Sequence, residues 1–176
     1  FVPVPPDAYS FISREAALEM IDQVTRPLSD SLTMSDAEQL VSLYNSRYSP
    51  RIRFELQWLN PDVNAYAWVD KGQRHVALMG GMALQRTLMY EAIALILSHE
   101  AGHHVNQTGS SPGDVACEGT ADFIGVKLVM RQMFSQYVLT AEKGIEQMAK
   151  FFVVDNDPNP PNTNPVGCRL HTNKKC

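Results

Sequence analysis

The chain of 176 residues has no long apolar run. Its longest, Ala92–Leu97, is six residues, whereas a helix that crosses a bilayer needs about 20, so a membrane-spanning helix is excluded. Charge of one sign is also missing. Fifteen Lys and Arg against 19 Asp and Glu leave a net charge of −4, dispersed along the chain, and this gives a nucleic-acid partner no basic stripe to bind. Cysteine is sparse, with only Cys117, Cys168 and Cys176 present, too few for a disulfide-framed scaffold. A Cys168–Cys176 disulfide would suit an oxidising compartment and leave one thiol over. The first residue is Phe1 rather than Met, which reads as the removal of a signal peptide, a propeptide or an expression scar. Together with the cysteines it sets the expectation of a secreted or periplasmic protein. What the chain does have is 44% hydrophobic residues, enough for a real core, and that excludes wholesale disorder.

The organisation predicted is one domain over residues 1–154, with an extended N-terminal arm over residues 1–10 and an Asn- and Pro-rich tail over 155–176. Three prolines in the first ten residues argue against regular structure there. Ser13 offers a helix cap, and Ala17, Leu18, Ile21 and Val24 recur at helical spacing up to Pro27. Ser35 and Glu38 have capping-box spacing for a second helix ending near Tyr48, before Pro50. From Ile52 to Trp58 apolar and polar residues alternate with the period of a strand. Two further strands, Val63–Val69 and Arg74–Met79, are joined through Asp70, Lys71 and Gly72, for a three-stranded sheet. A long helix over 84–105, one from an Asp114 cap to Phe134 and a last over 140–152 complete an α+β fold.

Residues 99–103 read His-Glu-Ala-Gly-His at the end of this apolar helical run. At about 100° per residue, His99 and His103 lie one turn apart on one face, so both imidazoles can reach one ion. Glu100 projects to the side, where it can touch a water bound to that ion. A catalytic zinc site usually has three protein ligands, so a third must come from elsewhere. Glu118 and Asp122, four residues apart on the following helix, share a face. Glu118 can ligate while Asp122 accepts the free ring N–H of a histidine. His104 points away from the metal and reads as a hydrogen-bonded, partly exposed residue. His75 reads as structural, and Cys117 as a small buried residue or half of a disulfide.

His99-Glu100-x-x-His103 followed by Glu118-x-x-x-Asp122 resembles the signature of the gluzincin zinc metallopeptidases. Asn64-Ala65-Tyr66-Ala67, Val76–Met79, Gly80-Gly81 and Ala94–His99 are similar to the HtpX-like and CAAX-prenyl-protease-like branch of that family. In that branch an Asn-Ala edge strand lines the substrate cleft above the active-site helix. The resemblance covers residues 35–134 and is specific over 64–122. It implies a zincin-like fold, one zinc per chain held by His99, His103 and Glu118, and Glu100 as general base and acid. It also implies Asp122 as the partner of a ligand histidine, and Asn64, Ala65 and Tyr66 as the substrate-binding edge. The expected activity is that of a zinc-dependent endopeptidase acting on a peptide or protein substrate. A non-catalytic zinc-stabilised peptide-binding module and a latent zymogen blocked by its own arm or tail are the alternatives.

Overall fold

The structure is a computed structural model that describes residues 2–22, 25–27, 31–105 and 116–153. The tail, Cys168 and Cys176, the segment 106–115 with its expected Asp114 cap, and the disulfide between the tail cysteines lie outside these residues. In chain order the elements are β1 Tyr9–Ser10, α1 Arg14–Met20, α2 Ser31–Tyr48, β2 Ile52–Gln57, β3 Ala65–Asp70, β4 Gln73–Met79, α3 Gly80–Ala83, α4 Tyr90–Val105 and α5 Glu118–Ile124. α5 runs without a break through a π-helical stretch, Gly125–Met130, into α6 Arg131–Met133, and α7 spans Tyr137–Val153.

The architecture is mixed helix and sheet. β3 and β4 form an antiparallel hairpin whose register pairs Asp70 with Gln73. Its two connecting residues, Lys71 and Gly72, both have positive φ, 48° and 83°, as a turn that follows the strand twist requires. β2 adds parallel to β4, and β1 adds antiparallel to the other edge of β3, giving the order β1-β3-β4-β2. The sheet therefore has four strands among the described residues rather than the three expected. The prolines of the arm delay regular structure only as far as Ala8.

Strand alternation sorts the residues of the sheet. Phe54, Ala65, Ala67, Val76 and Leu78 enter the main core beneath α4. Tyr66, Trp68, Ala77 and Met79 face the other way, where Val2, Val4 and Ala8 of the arm cover them. α4 is apolar nearly all round, with twelve of its sixteen residues buried, because it packs against the sheet, α2, α5 and α7. Tyr44 ties α2 to it, donating its hydroxyl proton to the Ala94 carbonyl at 2.8 Å beside Ser98 at 2.5 Å.

Helix boundaries depart from the spacing where tertiary pairing competes. Ser13 caps α1 through its hydroxyl, which accepts from Ala16 N–H at 3.1 Å, but α1 ends at Met20 instead of continuing to Pro27. Arg26 N–H donates to the Leu84 carbonyl at 2.8 Å and Thr25 bridges to Gln85. The same pairing keeps residues 84–89 out of helix, so the expected helix 84–105 begins only at Tyr90, as α4, and the short α3 precedes it. α2 starts at Ser31, and the Ser35 hydroxyl accepts from the Gln39 side chain instead of capping.

Two glycines set how closely α4 meets the α5 stretch. A Cβ on Gly102 would lie 2.5 Å from the Ala121 carbonyl oxygen, and one on Gly125 would lie 2.9 Å from the Ser98 carbonyl oxygen. Both neighbours are backbone and cannot yield cheaply. Gly102→Ala is expected to destabilise the protein by about 1–3 kcal/mol. Gly119→Ala, with nothing within 4 Å of the added methyl, is expected to be neutral or to stabilise by up to about 1 kcal/mol. Urea denaturation of both variants checks this, and the opposite order would contradict the close helix contact.

Candidate metal centre

The last turns of α4 and the first turn of α5 bring four titratable side chains into the interior. His99, Glu100, His103 and Glu118 are 3%, 0%, 0% and 2% exposed. One ligand atom from each of His99, Glu100 and His103 lies within 4.8 Å of the others, so this buried group can hold a metal ion. The histidine rings stand edge to face with centroids 4.8 Å apart, as the four-residue helical spacing predicts.

The orientation of the rings is set from behind. His99 Nδ1–H donates to Asp122 Oδ1 at 2.8 Å, and His103 Nδ1–H donates to the Ala116 carbonyl oxygen at 2.6 Å. Both Nε2 atoms then point at one carboxylate oxygen, Glu118 Oε2, at 3.0 Å from His99 and 3.6 Å from His103. Donors 2.0–2.2 Å from a tetrahedral zinc ion lie about 3.3–3.5 Å from one another. The two measured separations lie on either side of that range, so Glu118 stands within reach of an ion shared with the histidines.

The electrostatics match a site built around a cation. Burial opposes protonation of His99, but its hydrogen bonds to Asp122 and Glu118, with the charge of Glu100, outweigh it and raise the pKa to about 10. Burial likewise pushes Glu118 up, yet the hydrogen bonds to His103 and His99 win and hold it at about 2. The carboxylates thus favour positive charge at this point in the fold, which a protonated His99 or a bound cation would supply.

The structure sorts the other sequence expectations. Asp122 meets His99 as the four-residue spacing from Glu118 implied. His104 stays clear of the metal group, but it is fully buried rather than partly exposed: its Nε2–H donates to the His75 carbonyl in β4 at 3.0 Å, and burial lowers its pKa to about 3. His75 stacks on Trp68, ring centroids 5.0 Å apart and 12° from parallel, as a structural residue. Cys117 is exposed at the N-terminus of α5 and is disulfide-bonded, the second of the two expected alternatives.

Asn64, Ala65 and Tyr66 are buried, and the edge of β3 that was expected to be open pairs with β1 instead. Sequence reasoning missed three features of the site. The Ala116 carbonyl is a backbone group and leaves no signature. The Asn64 contact to the arm joins residues 52 positions apart. Tyr9 and Phe11, which lie over the histidines, were legible only as alternating aromatics after a proline run.

No protein-family model, curated protein or solved structure matches the chain. Asp122→Ala is expected to weaken divalent-metal binding about 10- to 100-fold, because it frees the His99 ring that it now orients. Titration with Zn²⁺ against a chelating indicator measures the change, and unaltered affinity would remove Asp122 from the centre.

Proposed function

We propose that the chain is a zinc-dependent endopeptidase with a zincin-like catalytic domain, as its resemblance to the gluzincins implies. One observation carries the reading: a second buried carboxylate, Glu100, adjoins the histidine pair in addition to Glu118. A structural zinc site is usually closed by four Cys or His ligands and has no use for a general base. His99, His103 and Glu118 would hold the ion with one position left for water.

When bound, zinc supplies Lewis-acid polarisation of a carbonyl and lowers the pKa of a water towards about 7. Glu100 would act as general base towards the attacking water, whose oxygen bonds to the carbonyl carbon as the C–N bond breaks, and would pass the proton to the leaving amine. Asp122 keeps His99 in the tautomer that presents Nε2, and the Ala116 carbonyl does the same for His103. Burial of Glu100 in a site shielded from bulk water strengthens its interaction with charge developing nearby.

Metal content by elemental analysis, with cleavage of unfolded casein followed in parallel, tests the proposal on the native chain and on Glu100→Gln. The expectation is about one zinc per chain in both and cleavage lowered about 10²- to 10⁴-fold in the variant. The absence of zinc, or iron in its place, overturns the assignment, since two histidines and one carboxylate also suit non-haem iron. Equal cleavage by the two proteins removes Glu100 as base. Zinc without cleavage by either, with the arm displaced as below, supports the non-catalytic peptide-binding module instead.

A further inference from the structure

β1 is two residues long and lies on the one sheet edge that overlooks the metal centre. Its register pairs Tyr9 with Ala67 and Ser10 with Tyr66. Because side chains alternate, Tyr9 shares the face of Ala67, towards α4, and Ser10 shares the outer face with Tyr66. Phe11 continues on the inner side, its N–H donating to the Ala65 carbonyl at 3.0 Å. Two aromatic rings consequently cover the two histidines. Tyr9 lies 4.8 Å from His103 and Phe11 lies 5.2 Å from His99, centroid to centroid.

The next residue, Ile12, is held by its side chain in the main core and also by its backbone. Asn64, fully buried, accepts from Ile12 N–H at 3.1 Å through Oδ1 and donates to the Ile12 carbonyl at 2.9 Å through Nδ2. A carboxamide that grips both main-chain groups of one residue adds a backbone contact to the packing of the Ile12 side chain. Upstream the chain turns away, the Ala8 N–H donating to the Pro5 carbonyl at 3.2 Å instead of to β3, so the pairing stops at Tyr9.

We propose that Tyr9–Ile12 is an internal occupant of a peptide-binding groove. The groove takes an extended chain antiparallel to β3, with aromatic side chains two residues apart over His99 and His103, and the segment must leave before such a peptide can enter from solution. The inference rests on the peptidase reading for the statement that the entering peptide is a substrate; occupancy of the groove stands on the β3 edge and Asn64. It accounts for a metal centre that is closed to solvent although its proposed chemistry needs access. A tethered segment competes at high effective concentration, so the apparent affinity for a free peptide falls by the fraction of time that the groove is open.

The test uses the full chain with Glu100→Gln, so that no turnover intervenes, with and without Tyr9→Ser and Phe11→Ser. The probe is a fluorescein-labelled nonapeptide of the sequence of residues 6–14, and its binding is followed by anisotropy. Loss of the aromatic cover is expected to tighten binding at least about tenfold. The same peptide with Ser at both aromatic positions is expected to bind at least about tenfold more weakly. Equal binding to both proteins with matching circular dichroism, or equal binding of both peptides, overturns the proposal and leaves β1 as a cap on a sheet edge.

Should the double variant not fold, the native chain provides the test. Excess unlabelled peptide is expected to speed amide hydrogen exchange at Phe11, whose N–H is now bonded to Ala65, and an unchanged rate overturns the proposal. A protein that binds peptide on displacement but never cleaves it counts against the peptidase and keeps this inference. One that cleaves with the arm in place does the reverse.

Discussion

Burial of His99, Glu100, His103 and Glu118 at the meeting point of α4 and α5 is the constraint on which the rest of the structure depends. Ionised groups removed from water cost several kcal/mol each unless partners surround them. Here every neighbour serves that end. Asp122 and the Ala116 carbonyl take the outward ring N–H groups, and both histidines turn Nε2 to Glu118. The raised pKa of His99 and the depressed pKa of Glu118 express the same balance of opposite charges held close in a poorly solvated space.

The close glycine contacts follow from this requirement. Glu118 reaches the histidines only because Gly102 lets the α5 backbone approach α4, and Gly125 keeps the two in contact about one turn further along. The apolar surround of α4, supplied by the sheet, α2 and α7, fixes the helix that carries three of the four groups. Tyr44, hydrogen-bonded to α4 at Ala94 and beside Ser98, anchors that helix one residue before His99. A rigid helix with oriented rings is what a metal centre needs if its ligands are to be in place before the ion arrives.

A conflict between stability and access runs through the fold. An unpaired edge of β3 would expose main-chain donors and acceptors, and a solvent-open centre would expose the charges. β1, with Tyr9, Phe11 and Ile12, meets both needs at once by pairing the edge and covering the histidines. The price is a closed centre. An arm whose pairing spans only two residues can be displaced far more readily than a strand in the middle of the sheet.

Most of the candidate site was legible in the chain because its members are local. His99, Glu100 and His103 fall within five residues and Glu118 and Asp122 within another five, so helical geometry alone relates the members of each group. Alternation likewise marked β2, and the turn residues Asp70, Lys71 and Gly72 marked the hairpin of β3 and β4. What failed was decided over longer distances: α1 stopped short and the helix expected over 84–105 began only at Tyr90 because the backbone near Thr25 and Arg26 found partners at Leu84 and Gln85. The amino-acid sequence by itself thus determined which helices carry the candidate metal-holding groups and on which face they stand, since rise and rotation per residue are properties of the backbone. Only the tertiary structure decided that the two groups converge on one point and that Tyr9–Ile12 lies over them. Those outcomes depend on how closely glycine lets two backbones approach and on which chain segment pairs with an exposed strand edge, and neither is encoded in any local spacing.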